Sequence, residues 1–335
     1  MKIAVVFDTP ARGWEDADFK QEIAAEVYEP EYDVADALME NGHDVFLIGF
    51  HDNLRRMLDR LEEFEPELVF NCTESFMGRA RYDYGVAALL EMKGYRYTGS
   101  SPEALLLARD KATSKKILSY HGVRVPRFQV YDSDRIEPPS GIAFPLIVKP
   151  MHEDASVGIS QASVVTDLDG LGERVAFIHR ALNQPAIAEE LIEGRELYLG
   201  MIGNHKVQLL PTIEITFDRI EEPSLRIATY SAKWDLDYRQ RWGIKNIFAR
   251  RLGAEARKEM ERAAHIAFHA LGLRDYARID FRLTRDQKVY LLEANPNPFI
   301  AFGEDMANAA ERSGLDYYDF IERIVSEALK RYEAA

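Results

Sequence analysis

Hydrophobic positions along the first hundred residues come in short continuous runs separated by helical stretches. Ile3–Phe7, Asp44–Phe50 and Leu68–Asn71 are runs of the kind that form strands of a parallel sheet buried on both faces. Phe19–Met39 has a helical pattern broken at Pro30 and stopped at Asn41-Gly42, and Leu54–Phe64 and Tyr84–Met92 are further helices. Strands and helices alternating at this spacing predict a doubly wound α/β lobe. Ligands of such a lobe bind at the carboxyl ends of its strands, here Asp8–Trp14 and Asn71–Arg81.

After residue 100 the pattern changes. Pro102–Leu107 starts a helix with Ser101 as its N-cap, and a second helix ends at His121-Gly122. Pro145–Lys149 is a strand, another delivers Glu189 and Glu190, and Leu197–Gly203 and Val207–Ile215 are strands joined at Asn204-His205. The segment 220–250 is polar and irregular, as a lid or a disordered loop is. Ala254–Leu271 is an amphipathic helix, and Leu315–Arg331 is a terminal helix whose apolar positions belong to the core.

Chemistry concentrates at 277–298, ARIDFRLTRDQKVYLLEANPNP. Ile279–Leu283 alternates apolar and polar, Thr284–Gln287 has turn chemistry, and Val289–Leu292 is a second strand, so a β-hairpin is predicted. Side chains two apart on a strand share a face, so Glu293 and Asn295 project together and antiparallel pairing can set Asp280 opposite them. Arg278 shares the Asp280 face. Three oxygen donors, two of them anionic, suit Mg²⁺ or Mn²⁺, which take hard oxygen ligands and fill the shell with water and phosphate oxygens. The alternative reading is a surface hairpin of solvated acids. The Asn-Pro-Asn-Pro run forces a rigid, irregular exit from the sheet.

Bulk numbers narrow the class. The 335 residues suit two or three lobes, and 47% apolar with 29% charged residues is ordinary for a globular protein. A net charge of −14 argues against a general nucleic-acid binder. The single Cys72 excludes an internal disulfide. Met1-Lys2 runs straight into the first strand and no apolar run reaches the roughly 20 residues a span needs, so no signal peptide and no membrane span are expected and a cytoplasmic protein is.

The runs Arg278-Ile279-Asp280-Phe281 and Leu291-Leu292-Glu293-Ala294-Asn295-Pro296 resemble the metal-binding end of the ATP-grasp ligases, and within them the D-alanine–D-alanine ligase branch. The resemblance implies an α/β fold of three lobes. A doubly wound, pre-ATP-grasp lobe would occupy 1–100, closed by Tyr95–Ser101. Two α+β lobes, a central one at 101–192 and a C-terminal one with the metal site at 193–335, would sandwich ATP.

Further segments carry the same resemblance. Asp110-Lys111 stands where the family's lysine reaches the phosphates, whereas Lys115 and Lys116 read as a solvated helix face. Lys149-Pro150 and then residues 152–160, ending in Ser156–Ser160, resemble a flap over the triphosphate, with small residues that let backbone N–H groups approach and Ser156 adding a hydroxyl. It is not a P-loop, lacking the Gly-Lys-Ser/Thr ending. Glu189, Glu190 and Ile192 would meet the adenine, and Glu196 the ribose. Tyr230–Trp234 resembles the family lid, making Lys233 a phosphate ligand. The implied cofactors are ATP and Mg²⁺ (or Mn²⁺), two ions being expected; relatives are often dimers, so a homodimer is raised.

The implied reaction joins a small-molecule carboxylate to an amine through an acyl phosphate, with Arg278, Lys233 and Ser156 in catalytic roles and no nucleic acid or membrane partner. The chain also departs from the family. The glycine pattern after the first strand is missing, leaving Glu22 or Glu26 to hold a substrate amine. Phe76 or Met77 replaces a histidine, with Glu74, Arg79 and Arg81 as substitutes. Phe299 replaces a glycine, and Glu304-Asp305 stand where a serine-leucine pair would capture a carboxylate. Two anions there would repel it, each at ~4 Å costing about 4 kcal/mol at an effective dielectric near 20. Either these acids point away or the second substrate is an amine-bearing, uncharged or cationic acceptor. The competing readings are a genuine D-alanine–D-alanine ligase, and a nucleotide-binding regulatory protein without turnover.

Overall fold

The computed structural model describes residues 1–10, 29–133 and 135–333. Strand β1 (Lys2–Asp8) lies between β2 (Asp44–Phe50) and β3 (Leu68–Asn71) in a parallel sheet of order β2-β1-β3. Ile3 through Phe7 are fully buried, as the unbroken apolar run requires. Helices α1 (Glu29–Glu40), α2 (Leu54–Phe64) and α3 (Asp83–Met92) cover this sheet. Pro30 sits in the first turn of α1, where the N–H that proline lacks has no partner in any case. The part of the expected Phe19–Met39 helix before Glu29 lies outside the described residues, as do Glu22 and Glu26.

Two antiparallel sheets follow. Helices α4 (Pro102–Arg109) and α5 (Lys111–Tyr120) lead into a four-stranded sheet. The Ser101 side chain caps α4, accepting from Ala104 N at 3.2 Å. That sheet has the order β4-β7-β5-β6, from β4 (Phe128–Tyr131), β5 (Leu146–Pro150), β6 (Val164–Val165) and β7 (Ala186–Glu190), with α6 (Leu168–Leu182) packed on it.

The last sheet has six strands. They are β8 (Arg195–Ile202), β9 (Gln208–Leu209), β10 (Ile213–Phe217), then, beyond helices α7 (Tyr230–Trp234) and α8 (Leu236–Trp242), β11 (Ile244–Phe248); α9 (Ala254–Ala270) precedes β12 (Tyr276–Leu283) and β13 (Val289–Asn295). Helices α10 (Asp305–Arg312) and α11 (Tyr317–Glu333) end the chain. Two expectations change here. The strand over Val207–Ile215 is two strands, β9 and β10, parted at Pro211, which cannot donate to a ladder. The polar segment 220–250 is not one loop; it holds α7, α8 and the edge strand β11, which carries exposed Lys245 and Asn246.

Helix α9 covers the hydrophobic face of β8, β12 and β13, and α11 packs Phe320, Ile321 and Ile324 against β1 and α1. Asp275, just before β12, fastens the two ends. Fully buried, it accepts bonds from Gly99 N at 2.8 Å, Asn204 Nδ2 at 3.0 Å and Arg331 Nη2 at 3.0 Å. The edge of the first lobe is thereby fixed against the strand that carries the polar face.

Candidate active site

In the hairpin register Asp280 lies directly opposite Glu293, and Arg278 opposite Asn295. Opposed residues share a face, so these four side chains project together. Arg278 grips Asp280 with two bonds, Nε to Oδ1 at 2.7 Å and Nη2 to Oδ2 at 2.9 Å, and its guanidinium lies 4.9 Å from the Tyr198 ring centroid. Burial alone would lower the Arg278 pKa; Asp280 outweighs it and keeps the guanidinium charged. Burial pushes the Asp280 carboxyl up against the pull of Arg278, yet the paired bonds are those of a carboxylate. Asn295 donates its Nδ2 to Arg278 O at 3.3 Å, which leaves the amide oxygen as the atom it could offer a cation.

Cations gather around Glu293. Lys111 Nζ is 3.9 Å from its Oε2 and also donates to Glu153 O. Burial would raise the Glu293 carboxyl, but Lys111, Lys233, Lys149 and Lys115 overcome that and hold it at about 2. Glu189, fully buried on β7, lies between Lys149 Nζ at 2.9 Å and Lys115 Nζ at 3.0 Å. The two ammonium groups keep its carboxyl below the ordinary value despite burial.

A cleft of about 580 Å³ runs between the four-stranded and six-stranded sheets. Of the residues singled out in the sequence, Lys149, Ser156, Glu189, Glu190, Ile192, Glu196, Lys233, Asp280 and Glu293 line it. Lys111 touches it through Glu293, and Arg278 and Asn295 stand behind Asp280. Glu190 differs in its partner, since its carboxylate meets exposed Arg127 at 3.5 Å. Glu196 is already engaged, accepting from Tyr198 Oη at 3.0 Å and Arg282 Nη2 at 2.6 Å. The flap and lid are joined over the cleft: Ser156 Oγ donates to Ala228 O at 2.7 Å, and Trp234 Nε1 to Ala155 O at 3.0 Å.

Reading Lys115 as solvated is wrong. It is 1% exposed and donates to Leu292 O at 2.5 Å. The signal was present: Lys111, Lys115 and Leu118 fall at i, i+4 and i+7 on α5, one inward face. Lys116, one residue on, is exposed as expected. Arg282 was also overlooked, although it stands two residues beyond Asp280 on the same strand and lines the same cleft.

Among the described residues no group of three or more His, Cys, Asp or Glu side chains could hold a metal. The two carboxylates and the amide oxygen on the hairpin face are a donor set that would fit Mg²⁺, an ion that leaves much of its shell to phosphate oxygens and water.

Residues 118–326 match the family model described as D-ala D-ala ligase C-terminus. A D-alanine–D-alanine ligase of Bordetella petrii is 32% identical over 299 residues, which cover 88% of this chain and 85% of that protein. This chain belongs to the D-alanine–D-alanine ligase family. It is accordingly an ATP-dependent ligase. Another member-like relative, the uncharacterized protein y4sG of Sinorhizobium fredii, is 32% identical over 304 residues, 89% of this chain and 87% of its own. The fold is shared with the D-alanine–D-alanine ligase of Bacillus anthracis solved with ATP, at a TM-score of 0.76 and 20% identity over 100% of both chains. It is shared too with the VanG D-Ala:D-Ser ligase of Enterococcus faecalis, at 0.69 and 20% identity over 98% and 99% of the two chains. The ATP-grasp architecture expected from the hairpin is therefore the architecture of this ligase. Among its described residues no helix is long and apolar enough to cross a membrane.

The ligase has a second cavity, of about 380 Å³, between the ends of the first-lobe strands and the exit of the hairpin. Glu31, Cys72, Glu74, Asn297 and Phe299 line it. Burial pushes the Glu31 carboxyl up to about 8, with Glu74, Asp8 and Asp33 adding to the rise. Glu74, open to solvent on one side, is pushed to about 7 by enclosure and by Asp8 and Asp154. Burial also raises the Cys72 thiol, so no thiolate nucleophile is offered. Phe299 meets Trp234 edge-to-face at 5.8 Å. Asp305 is held by Asn246 Nδ2 at 2.8 and 2.9 Å. Nothing local in α1 marks Glu31; the strand ends and hairpin exit that enclose it are distant in sequence.

Proposed function

We propose that the chain joins a small-molecule carboxylate to an amine through an acyl phosphate, with ATP in the cleft between the two antiparallel sheets. The observation that carries this is Glu293: a carboxylate held ionised at about 2 amid four lysines, opposite Asp280, suits a polyanion and its cation. Asp280, Glu293 and Asn295 would hold Mg²⁺ (or Mn²⁺), in two ions, whose chemistry is to neutralise the charge of the triphosphate. Lys111, Lys149 and Lys233 address the phosphates, and Ser156 adds a hydroxyl from the flap. Glu189, Ile192 and Glu196, with Glu190 through its backbone, face the base and ribose. We take the lobes to divide at residues 100 and 192.

A substrate carboxylate oxygen attacks the γ-phosphorus, ADP leaves, and an acyl phosphate forms. The amine then attacks the carbonyl carbon, phosphate departs, and the amine proton is lost. Arg278, kept charged by Asp280, steadies the oxyanion between these events. The closed flap and lid exclude water, which would otherwise hydrolyse the acyl phosphate.

The acids of the second cavity favour an acceptor bearing a cationic or amine group. The relatives named D-alanine–D-alanine ligase favour a second reading, D-alanine joined to D-alanine in the cytoplasm. Phosphate release from ATP and Mg²⁺ over a panel of D-amino acids, L-amino acids and diamines decides. Turnover with a cationic acceptor supports the first reading, turnover with D-alanine alone the second, and no release with any pair refutes both. Size-exclusion chromatography tests the homodimer.

A further inference from the structure

We infer that Arg109 is a positioning residue that ties the tip of the flap to the first lobe and so sets the flap over the nucleotide. The inference rests on the ATP-ligase reading of the cleft. Arg109 ends α4, two residues before Lys111. Its side chain is 10% exposed and spans two carboxylates from different parts of the chain. Nη2 donates to Asp83 Oδ2 at 2.5 Å, and Asp83 is a buried residue at the start of α3. Nη1 lies 2.8 Å from Asp154 Oδ2 at the flap tip, and the other oxygen of Asp154 is 3.8 Å from Lys111 Nζ.

The flap tip needs such a tie. Val157 N bonds Asp154 O at 3.0 Å, closing a turn whose two central residues are Ala155 and Ser156, at φ 50° and 63°. Two successive left-handed residues with side chains are disfavoured, and glycine or asparagine is the usual choice. The lid fastens one side of this turn through Ala228 and Trp234. Arg109 fastens the other. Its contact with Asp154 is an ion pair rather than an aligned hydrogen bond, and among the described residues its Nε is buried without a partner. A guanidinium that the fold leaves incompletely bonded suits a contact made on closing. An arginine is required because a lysine ammonium, a single point charge, cannot bridge two carboxylates in this geometry.

The test is the affinity for ATP with Mg²⁺, by calorimetry, of the full chain and of Asp154→Asn, Arg109→Lys and the double variant. Arg109→Lys keeps a charge beside Asp83, and Asp154 is 37% exposed, so both variants are expected to fold with unchanged melting temperatures. Asp154 stands near the phosphate lysine, so simple charge removal would tighten ATP binding. A latch predicts the opposite: each single variant binds about tenfold more weakly, the factor that about 1.4 kcal/mol represents. The double variant is no worse than either single, and Asp154→Glu recovers most of the loss. Unchanged or tighter binding by Asp154→Asn, or losses that multiply in the double variant, overturns the latch. Failure of the wild-type chain to bind ATP refutes the ligase reading of the cleft instead.

Discussion

The cleft between the antiparallel sheets and the second cavity are built on opposite electrostatic plans. In the cleft every buried carboxylate has a cation: Glu189 has Lys115 and Lys149, Asp280 has Arg278, Glu196 has Arg282, and Glu293 has Lys111. These groups sit on strands of two sheets or on α5, so their positions are set before any ligand arrives. Around the second cavity the described lining contains Glu31 and Glu74 and no lysine or arginine. Its carboxyls titrate near neutrality because burial, with neighbouring acids adding to it, outweighs a backbone hydrogen bond at Glu31 and the more distant Arg109 charge at Glu74. On the proposed reading the paired half takes what all such ligases share, ATP. The unpaired half would be completed by a substrate, and a cationic group is what would complete it.

The largest effect tests the paired half. Glu293→Gln keeps the shape and removes the charge at the centre of the lysines. Turnover is expected to fall by about 10²–10³-fold, the loss typical of removing one preorganised charge-stabilising group. Initial rates of phosphate release measure it. Glu190→Gln is the contrast within the same cleft: its carboxylate faces exposed Arg127, and a change below about threefold is expected, since exposed pairs contribute ~0–1 kcal/mol. Equal losses in the two variants would dissolve the distinction between paired core and rim.

Lys115 and Lys116 put the same comparison into stability. Lys115→Met strips one of two cations from fully buried Glu189 and is expected to cost about 3–5 kcal/mol in denaturant unfolding. Lys116→Met is expected within about 0.5 kcal/mol of the parent. The pair also shows how far the sequence could be read. The hairpin was legible because alternation and turn residues are local, and its register follows from them. The first sheet was legible because parallel strands are apolar throughout. Lys115 was hidden by composition: three lysines among six residues look like a wet surface, and only helical phase separates the buried one. The lid was harder, because α7, α8 and β11 are amphipathic pieces too short for a clear period, and they become regular only by packing beside β10. Glu31 could not be found at all, as its burial arises from strand ends and a hairpin exit far from it in the chain.

The unpaired half is tested by pH. The Glu31 carboxyl titrates at about 8 when folded against an ordinary 4.5. Below the ordinary value both states carry the proton and there is no penalty. As pH rises the unfolded chain ionises first, so stability is lost progressively until the folded pKa is passed. Glu31→Gln removes this linkage. It is expected to be the more stable protein at pH 8 by about 1–3 kcal/mol, below the ~5 kcal/mol the full shift would represent, because solvent reaches part of the side chain. Melting curves from pH 5 to 8 give the result: the wild type loses stability over that window and the variant loses less. Parallel curves would mean that Glu31 is not held above its ordinary value, and the contrast between the two cavities would weaken with it.

The smallest effect belongs to the flap, which bridges the two regions. Ser156 Oγ donates to Ala228 O at 2.7 Å, so in this closed arrangement its hydroxyl bonds the lid. If that is its whole role, Ser156→Ala leaves one lid carbonyl without its partner and weakens ATP binding by about fivefold, the equivalent of about 1 kcal/mol for a single hydrogen bond. Turnover at saturating ATP would then hardly change. If instead the hydroxyl turns to the reacting phosphate or acid during the reaction, the loss falls on turnover and exceeds tenfold while ATP affinity holds. Separate measurement of ATP affinity and turnover thus decides between a closing contact and a catalytic one, and the first outcome would move Ser156 from the chemistry to the latch.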